Sequence, residues 1–462
     1  MVFSSVPFLF YFLPLFFAAY FAMPGVTAKN AMLLIASLIF YAWGEPWFVL
    51  VLAAQTIFNY GIALVIDGRG DRARQHATAL GVGVNLALLA VFKYADFVVG
   101  TVNATGANFT LPGLALPLGI SFFTFHSISY LIDIHRGQVR ANRNLLEVAV
   151  YIAMFPQLVA GPIIRYHTIA RRLAERRSTL SRASAGMRIF IIGLGQKVLV
   201  ADEVAHIADK IFDKIATPSL AEAWIGLSAY SVQIYFDFMG YSNMAIGFAL
   251  VLGLRFPRNF NLPYTSRSIT EFWRRWHMSL SQWLRDYLYI PLGGSRGSTI
   301  ATYRNLVLVF LLCGLWHGAN WTFVVWGAHH GVFLVLELLG LGRWLAAAPI
   351  LVARLYALLA VMSGWVWFRA RDFDHALAFF AGLIGRNDTA ALTLSAHLVL
   401  YPTTVSALVI GVILALFRMP RVLQLQGAPL ALTDTVTTTA LFALAILAVA
   451  SGAYSPFLYF RF

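Results

Sequence analysis

Apolar runs of roughly 20 residues recur from one end of this 462-residue chain to the other, and no other feature constrains its fold as tightly. A bilayer core about 30 Å thick is crossed by about 20 apolar residues in helix. In lipid each backbone polar group must find its partner inside the chain, which leaves helices as the way to thread such runs. The runs predict spans at 6–25, 30–43, 47–66, 78–100, 112–133, 187–205, 222–253, 301–340 (broken), 350–368, 400–417 and 436–454. Hydrophobic residues make up 60% of the chain and charged ones only 12%, against about 25% charged in a soluble protein. We read an all-α polytopic membrane protein with about 11 transmembrane helices plus re-entrant and interfacial helices. It forms a single integral-membrane domain over 1–462, with a core for chemistry at about 112–336.

The formal charge is +14. In a soluble domain this would suggest nucleic acid. Here basic cytoplasmic loops against anionic membrane lipids account for it, so no nucleic-acid partner is expected. "DGRGDRARQH" (67–76), "HRGQVRANRN" (135–144) and "RYHTIARRLAERRSTLSRASAGMR" (165–188) are the predicted cytoplasmic loops, and the Lys- and Arg-free "TVNATGANFT" (101–110) lies outside. The first apolar run has no basic leader or small-residue cleavage site, so it is expected to be a retained span. A single cysteine, Cys313, excludes an internal disulfide and any multi-cysteine metal site.

"VAVYIAMFPQLVAGPII" (148–164) is apolar but flanked by basic loops on both sides. A full crossing would put one of those loops outside, so a re-entrant hairpin is more economical. Pro156, Gly161 and Pro162 predict broken helix there, tolerated where protein buries it. No internal repeat is present, which weighs against inverted-repeat transporters.

The segment 255–336 carries the candidate chemistry. Ser268 and Glu271 have capping-box spacing and predict a helix start. From there Trp273, Trp276, His277, Leu280, Trp283, Leu284 and Tyr287 form one stripe at three- and four-residue spacing. Arg274, Arg275 and Arg285 fall largely off it, as suits one amphipathic helix at a membrane interface. His277 points to the aromatic side, where spacing alone fits a packed structural histidine equally well. His317, within "GLWHGANW", is predicted near mid-depth of a broken span, where an ionisable side chain is costly and needs a reason. A neutral imidazole there can take a proton from a hydroxyl. His329 and His330 read as packing or entrance lining. "GGSRG" (293–297) matches a nucleophile-elbow pattern but sits in a polar loop, so it reads as a turn. Two histidines without a third ligand predict no metal site. Asp237, an acid in an apolar run, must be functional or paired, with Arg258 or Arg275 as candidate partners.

"LPLGISFFTFHSISYLID", "FPQLVAGPIIR", "YFDFMGYSNMAIG", "RNFNLPYTSRSITEFWRRWHMSLSQWLRDYLYIPLGG" and "GLWHGANWTFVVWGAHHG" resemble the membrane-bound O-acyltransferase (MBOAT) family. The resemblance is closest to the bacterial branch that O-acetylates alginate and related exopolysaccharides, and it runs from "MVFSS" to "PFLYFRF". It implies His317 as the catalytic histidine and His277 as the second. It also implies a helical bundle with a central tunnel, no bound cofactor, and an acyl thioester such as acetyl-CoA as donor. A periplasmic partner of the SGNH-hydrolase type would finish transfer to a polysaccharide acceptor, and the location would be the bacterial inner membrane. Trp316, Asn320, Asp237, Trp273, Trp276, Arg275 and Asn261 are expected to line the substrate site. The basic loops, above all 165–188, are expected either to attract donor phosphates or to serve as topology signals. A lipid or polysaccharide flippase, or a secretion-complex scaffold, are the other classes this sequence admits.

Overall fold

In the computed structural model, residues 1–159, 161–387, 392–417, 432–452 and 457–458 are described. All regular structure among them is helical. Among the described residues, eight helices are long and apolar enough to cross a membrane: Gly25–Ala42, Phe48–Gly68, Asp71–Asn103, Leu180–Lys214, Leu220–Val251, Thr299–His317, Trp321–Ala347 and Ile350–Arg369. Shorter apolar helices at Pro7–Ala22, Pro402–Leu416 and Asp434–Ala450 fall on three more of the predicted runs. The last two residues of the predicted 436–454 span, and most of "PFLYFRF", lie outside the described residues.

The run 112–133 is shorter than predicted. Its helix, Ile120–His135, starts only after Pro112, Gly113, Pro117 and Gly119. Gly119 has φ +75, and a Cβ there would press on the Leu158 carbonyl. That left-handed turn favours glycine and holds the preceding segment out of helix.

The chain divides into two compact units, 1–190 with 244–257 and 191–243 with 258–462. In the first, Phe3, Phe8, Phe155 and Phe248 form a buried aromatic cluster with ring centroids 4.9–6.2 Å apart. Gln55, Asn59 and Asn85 hydrogen-bond one another between the helices Phe48–Gly68 and Asp71–Asn103. Such polar contacts join helices where apolar burial alone gives no drive. The expected break in 148–164 is present. Helix Leu145–Ala153 ends at Met154 in extended geometry, and a four-residue turn Phe155–Leu158 follows with Pro156 in its first turn.

In the second unit, Thr299–His317 and Trp321–Leu336 pack as a close antiparallel hairpin. Small residues allow the approach: a Cβ on Gly314 would collide with the Phe323 carbonyl, and one on Gly327 with the Phe310 carbonyl. Residues 318–320 make the turn. Gly318 is extended, and the Asn320 side chain caps the second helix by accepting from Thr322 N at 3.0 Å. His317 therefore ends a helix, rather than lying within a loosened one at mid-span as the sequence suggested. The Glu337 carboxylate, just past the second helix, accepts from Ile269 N, Thr270 N and Thr270 Oγ1 at 2.5, 3.0 and 2.6 Å. This anchors the start of the segment that carries His277.

Candidate active site

The expected single amphipathic helix is two. Ser268 caps Ile269–Trp273 as predicted, its Oγ accepting from Glu271 N at 3.0 Å. The chain then breaks, and Met278–Leu284 begins after His277, whose φ of 40 and ψ of 53 are left-handed. A non-glycine residue adopts this geometry only when its surroundings over-determine it. Asn259 provides much of that constraint. Its carbonyl accepts from Met278 N at 2.9 Å, and its Oδ1 accepts from Ser279 N at 3.2 Å and Ser279 Oγ at 2.9 Å. The same Oδ1 lies 3.2 Å from His277 Nδ1.

This arrangement assigns the tautomer. A backbone N–H can only donate, so the Asn259 atom facing Ser279 is the oxygen, and its Nδ2 donates to Ser242 Oγ at 3.0 Å. Oδ1 can only accept, so His277 Nδ1 carries the proton. Burial pushes the His277 pKa down to about 3, which keeps the ring neutral and leaves Nε2 with a lone pair.

His317, buried at 5% exposure, packs its ring against Trp316, Trp326 and Phe368, with centroids 4.8, 5.0 and 5.2 Å away. Trp316 also reaches the His277 ring at 6.2 Å, so one tryptophan separates the two histidines. On the other side Trp326 lies 5.0 Å from His330, and His330 lies 5.1 Å from Trp273. Among the described residues, His277 Nε2, both His330 ring nitrogens, Trp273 Nε1 and Trp326 Nε1 are buried without hydrogen-bond partners. Buried polar atoms ordinarily have partners. Several of them on neighbouring aromatic and histidine rings mark this region as a candidate site for a small polar group. The described residues contain no group of three His, Cys, Asp or Glu arranged for a metal ion.

The segment carrying these residues matches known proteins. The model of MBOAT, the membrane-bound O-acyltransferase family, matches residues 123–368. The probable alginate O-acetylase AlgI of Azotobacter vinelandii is 43% identical, with 100% of both chains covered. AlgI of Pseudomonas aeruginosa is 48% identical over 83% of this chain and 75% of its own. The peptidoglycan O-acetyltransferase of Helicobacter pylori is 34% identical over 100% of this chain and 98% of its own.

This chain belongs to the membrane-bound O-acyltransferase family. It is a multi-pass membrane O-acyltransferase, and its reaction draws on an acyl donor.

Within this MBOAT protein the expected site residues do not all come together. His317, His277, Trp316 and Trp273 belong to the connected run of rings. Trp276 stands behind it, stacked on Phe272 at 5.5 Å and 5.0 Å from Trp365. Four others lie outside that run. Asn320 is a helix cap whose Nδ2 also donates to Arg371 O at 2.9 Å. Asn261 is exposed, and the buried asparagine against His277 is Asn259. Arg275 donates to Thr265 Oγ1 at 3.0 Å and pairs with Glu271. Asp237 pairs with Lys197 at 2.6 Å and accepts from Leu458 N at 2.7 Å, so its partner is neither Arg258 nor Arg275. Lys197 also holds Asp202 at 2.6 Å.

Asn259 and Ser279 carry no local sequence signal that marks them for this site, Trp326 is not among the residues expected there, and His330 reads from sequence as packing or entrance lining. A signal for the last pair was present. Phe323, Trp326, Gly327, His330, Gly331 and Leu334 share one buried helical face.

Proposed function

We propose that this enzyme moves an acetyl group from a cytoplasmic thioester, acetyl-CoA, to a hydroxyl of an extracytoplasmic polysaccharide or to a partner that completes the transfer. The observation that supports this most is the continuous run His277–Trp316–His317–Trp326–His330, buried and bearing orphan polar atoms, inside the family-matched segment. We take residues about 112–336 as the catalytic core of one membrane domain.

In this reading His317 is the general base. It takes the proton of the attacking hydroxyl as the new C–O bond forms and the C–S bond breaks, and the leaving thiolate then recovers a proton. A positioned base of this kind contributes about 10²–10⁴-fold. His277, with its lone pair on Nε2, accepts a hydrogen bond that orients the hydroxyl. A neutral ring of this tautomer has no proton on Nε2 to give, so His277 orients the hydroxyl and does not act as an oxyanion donor. Aromatic walls exclude water and limit thioester hydrolysis.

Relatives named for alginate and peptidoglycan O-acetylation support a glycan acceptor. A bacterial inner-membrane location and a periplasmic SGNH-type acetyltransferase partner complete the proposal. It is tested in proteoliposomes with labelled acetyl-CoA enclosed and a soluble glycan acceptor, with or without a candidate partner, outside. Label on the outer acceptor supports the reading, and label that appears only when donor and acceptor share a compartment refutes the direction.

A further inference from the structure

The helix Tyr166–Ala174 and the start of Leu180–Gly195 enclose a cavity of about 450 Å³ lined by Arg171, Arg172, Glu175, Arg176, Arg177 and Arg182. Five cations face one carboxylate. Glu175 is itself exposed and paired with exposed Arg171 at 3.2 Å, an ion pair of small worth. Gly253, with φ +81, closes one wall; a Cβ there would lie 2.9 Å from the Arg177 carbonyl. That same carbonyl accepts from Arg182 Nη1 at 3.0 Å, so the backbone under the arginines is fixed.

Arg176 differs from its neighbours. It is 6% exposed, and its contacts are neutral: Nε donates to Tyr20 Oη at 3.1 Å, and Nη1 donates to Asn30 Oδ1 at 2.6 Å and Leu173 O at 3.3 Å. Its Nη2 has no partner, and no carboxylate among the described residues pairs with it. A second cation, Lys29, shares the Tyr20 ring, with Nζ 5.6 Å from the centroid and the Arg176 guanidinium carbon at 5.9 Å. A loop that serves only as a topology signal keeps its arginines solvated. Burying a guanidinium without a counter-charge is unfavourable, and an anion in the cavity offsets that cost.

We infer that this cavity binds a phosphate-bearing ligand, with Arg176 as its buried anchor and the exposed arginines as charge-assisted donors. Two sources carry that chemistry, the diphosphate of an acyl-CoA donor and the headgroup phosphate of an anionic phospholipid. The first rests on the donor proposed above, and the second is independent of it.

The test uses the full-length protein in detergent. CoA binding is measured by calorimetry and phosphatidylglycerol retention by native mass spectrometry, for the wild type, Arg176→Gln and the double variant Arg177→Ala/Arg182→Ala. The result expected is that one probe binds the wild type and is weakened about tenfold or more in both variants, with inorganic pyrophosphate competing. Loss of CoA binding identifies the nucleotide source; loss of phosphatidylglycerol identifies the lipid. Where Arg176→Gln does not fold, the double variant decides. No change in either probe in a folded variant overturns the site. Thioester turnover is followed in parallel. Turnover without any phosphate binding sinks the cavity alone, and phosphate binding without wild-type turnover sinks the donor alone.

Discussion

Asn259 Oδ1 lies 3.2 Å from His277 Nδ1 while it also accepts from both the backbone and the hydroxyl of Ser279. One side-chain oxygen thereby holds a left-handed turn, an imidazole tautomer and the start of the next helix. Asn259 acts through His277 and Ser279 and is a positioning residue.

Replacing Asn259 tests that role. Asn259→Ala frees the His277 tautomer, and kcat is expected to fall by up to about 10²-fold, the lower end of what a positioned base supplies. KM for the donor should change little. Asn259→Asp keeps an acceptor opposite Nδ1 and should recover part of kcat. A merely structural role would lower the yield of folded protein and leave kcat per folded enzyme unchanged.

Acid stability reports the buried neutral state of His277. Its folded pKa is about 3, against about 6.5 in an unfolded chain. As pH falls the unfolded state binds the proton first, so the stability present above about 6.5 is lost progressively toward about 3. The melting temperature in detergent should therefore drop from about pH 7 to pH 5, and less steeply in His277→Gln. Parallel profiles for the two proteins would contradict the assignment.

Asp237, expected at the substrate site, is paired with Lys197, an arrangement that points to a structural role. Asp237→Ala leaves Lys197 with Asp202 alone and frees the Leu458 N–H, and removal of one partner from a buried ion pair costs about 3 kcal/mol or more. We expect a clear loss of thermal stability, with turnover per folded molecule preserved. A folded, stable and inactive Asp237→Ala would return this residue to the chemistry.

Gly318 sets where the helix before it ends. A Cβ at this position collides with the Phe323 ring, so Gly318→Ala forces the hairpin apart at a cost of about 1–3 kcal/mol. Because His317 is the adjacent residue, activity should fall at least tenfold, roughly the effect of an ångström of misplacement or less. Ala319→Ser, one position further and half-exposed, is the control and should leave activity near wild type.

Much of the architecture is local and was therefore readable. Apolar run length predicts where helices such as Phe48–Gly68 and Ile350–Arg369 lie, and Ser268 with Glu271 announces a helix start. What the sequence hides depends on distant partners. Aromatic spacing around His277 reads as one helix because a left-handed break there needs Asn259, 18 residues earlier. Asp237 meets Lys197, a residue of another helix, which no local pattern signals. In "WHGAN" the letters that loosen a helix and those that end one are the same. The collision at Gly318 and the cap at Asn320 decide between them.

The most direct measurement is thioester turnover by the purified enzyme in proteoliposomes, with radiolabelled acetyl-CoA and a glycan acceptor, comparing wild type with His317→Ala. A loss of about 10²-fold or more is expected in a variant that still folds and elutes as wild type does. Turnover within about threefold of wild type would remove His317 from the chemistry and leave it a packing residue at a helix end.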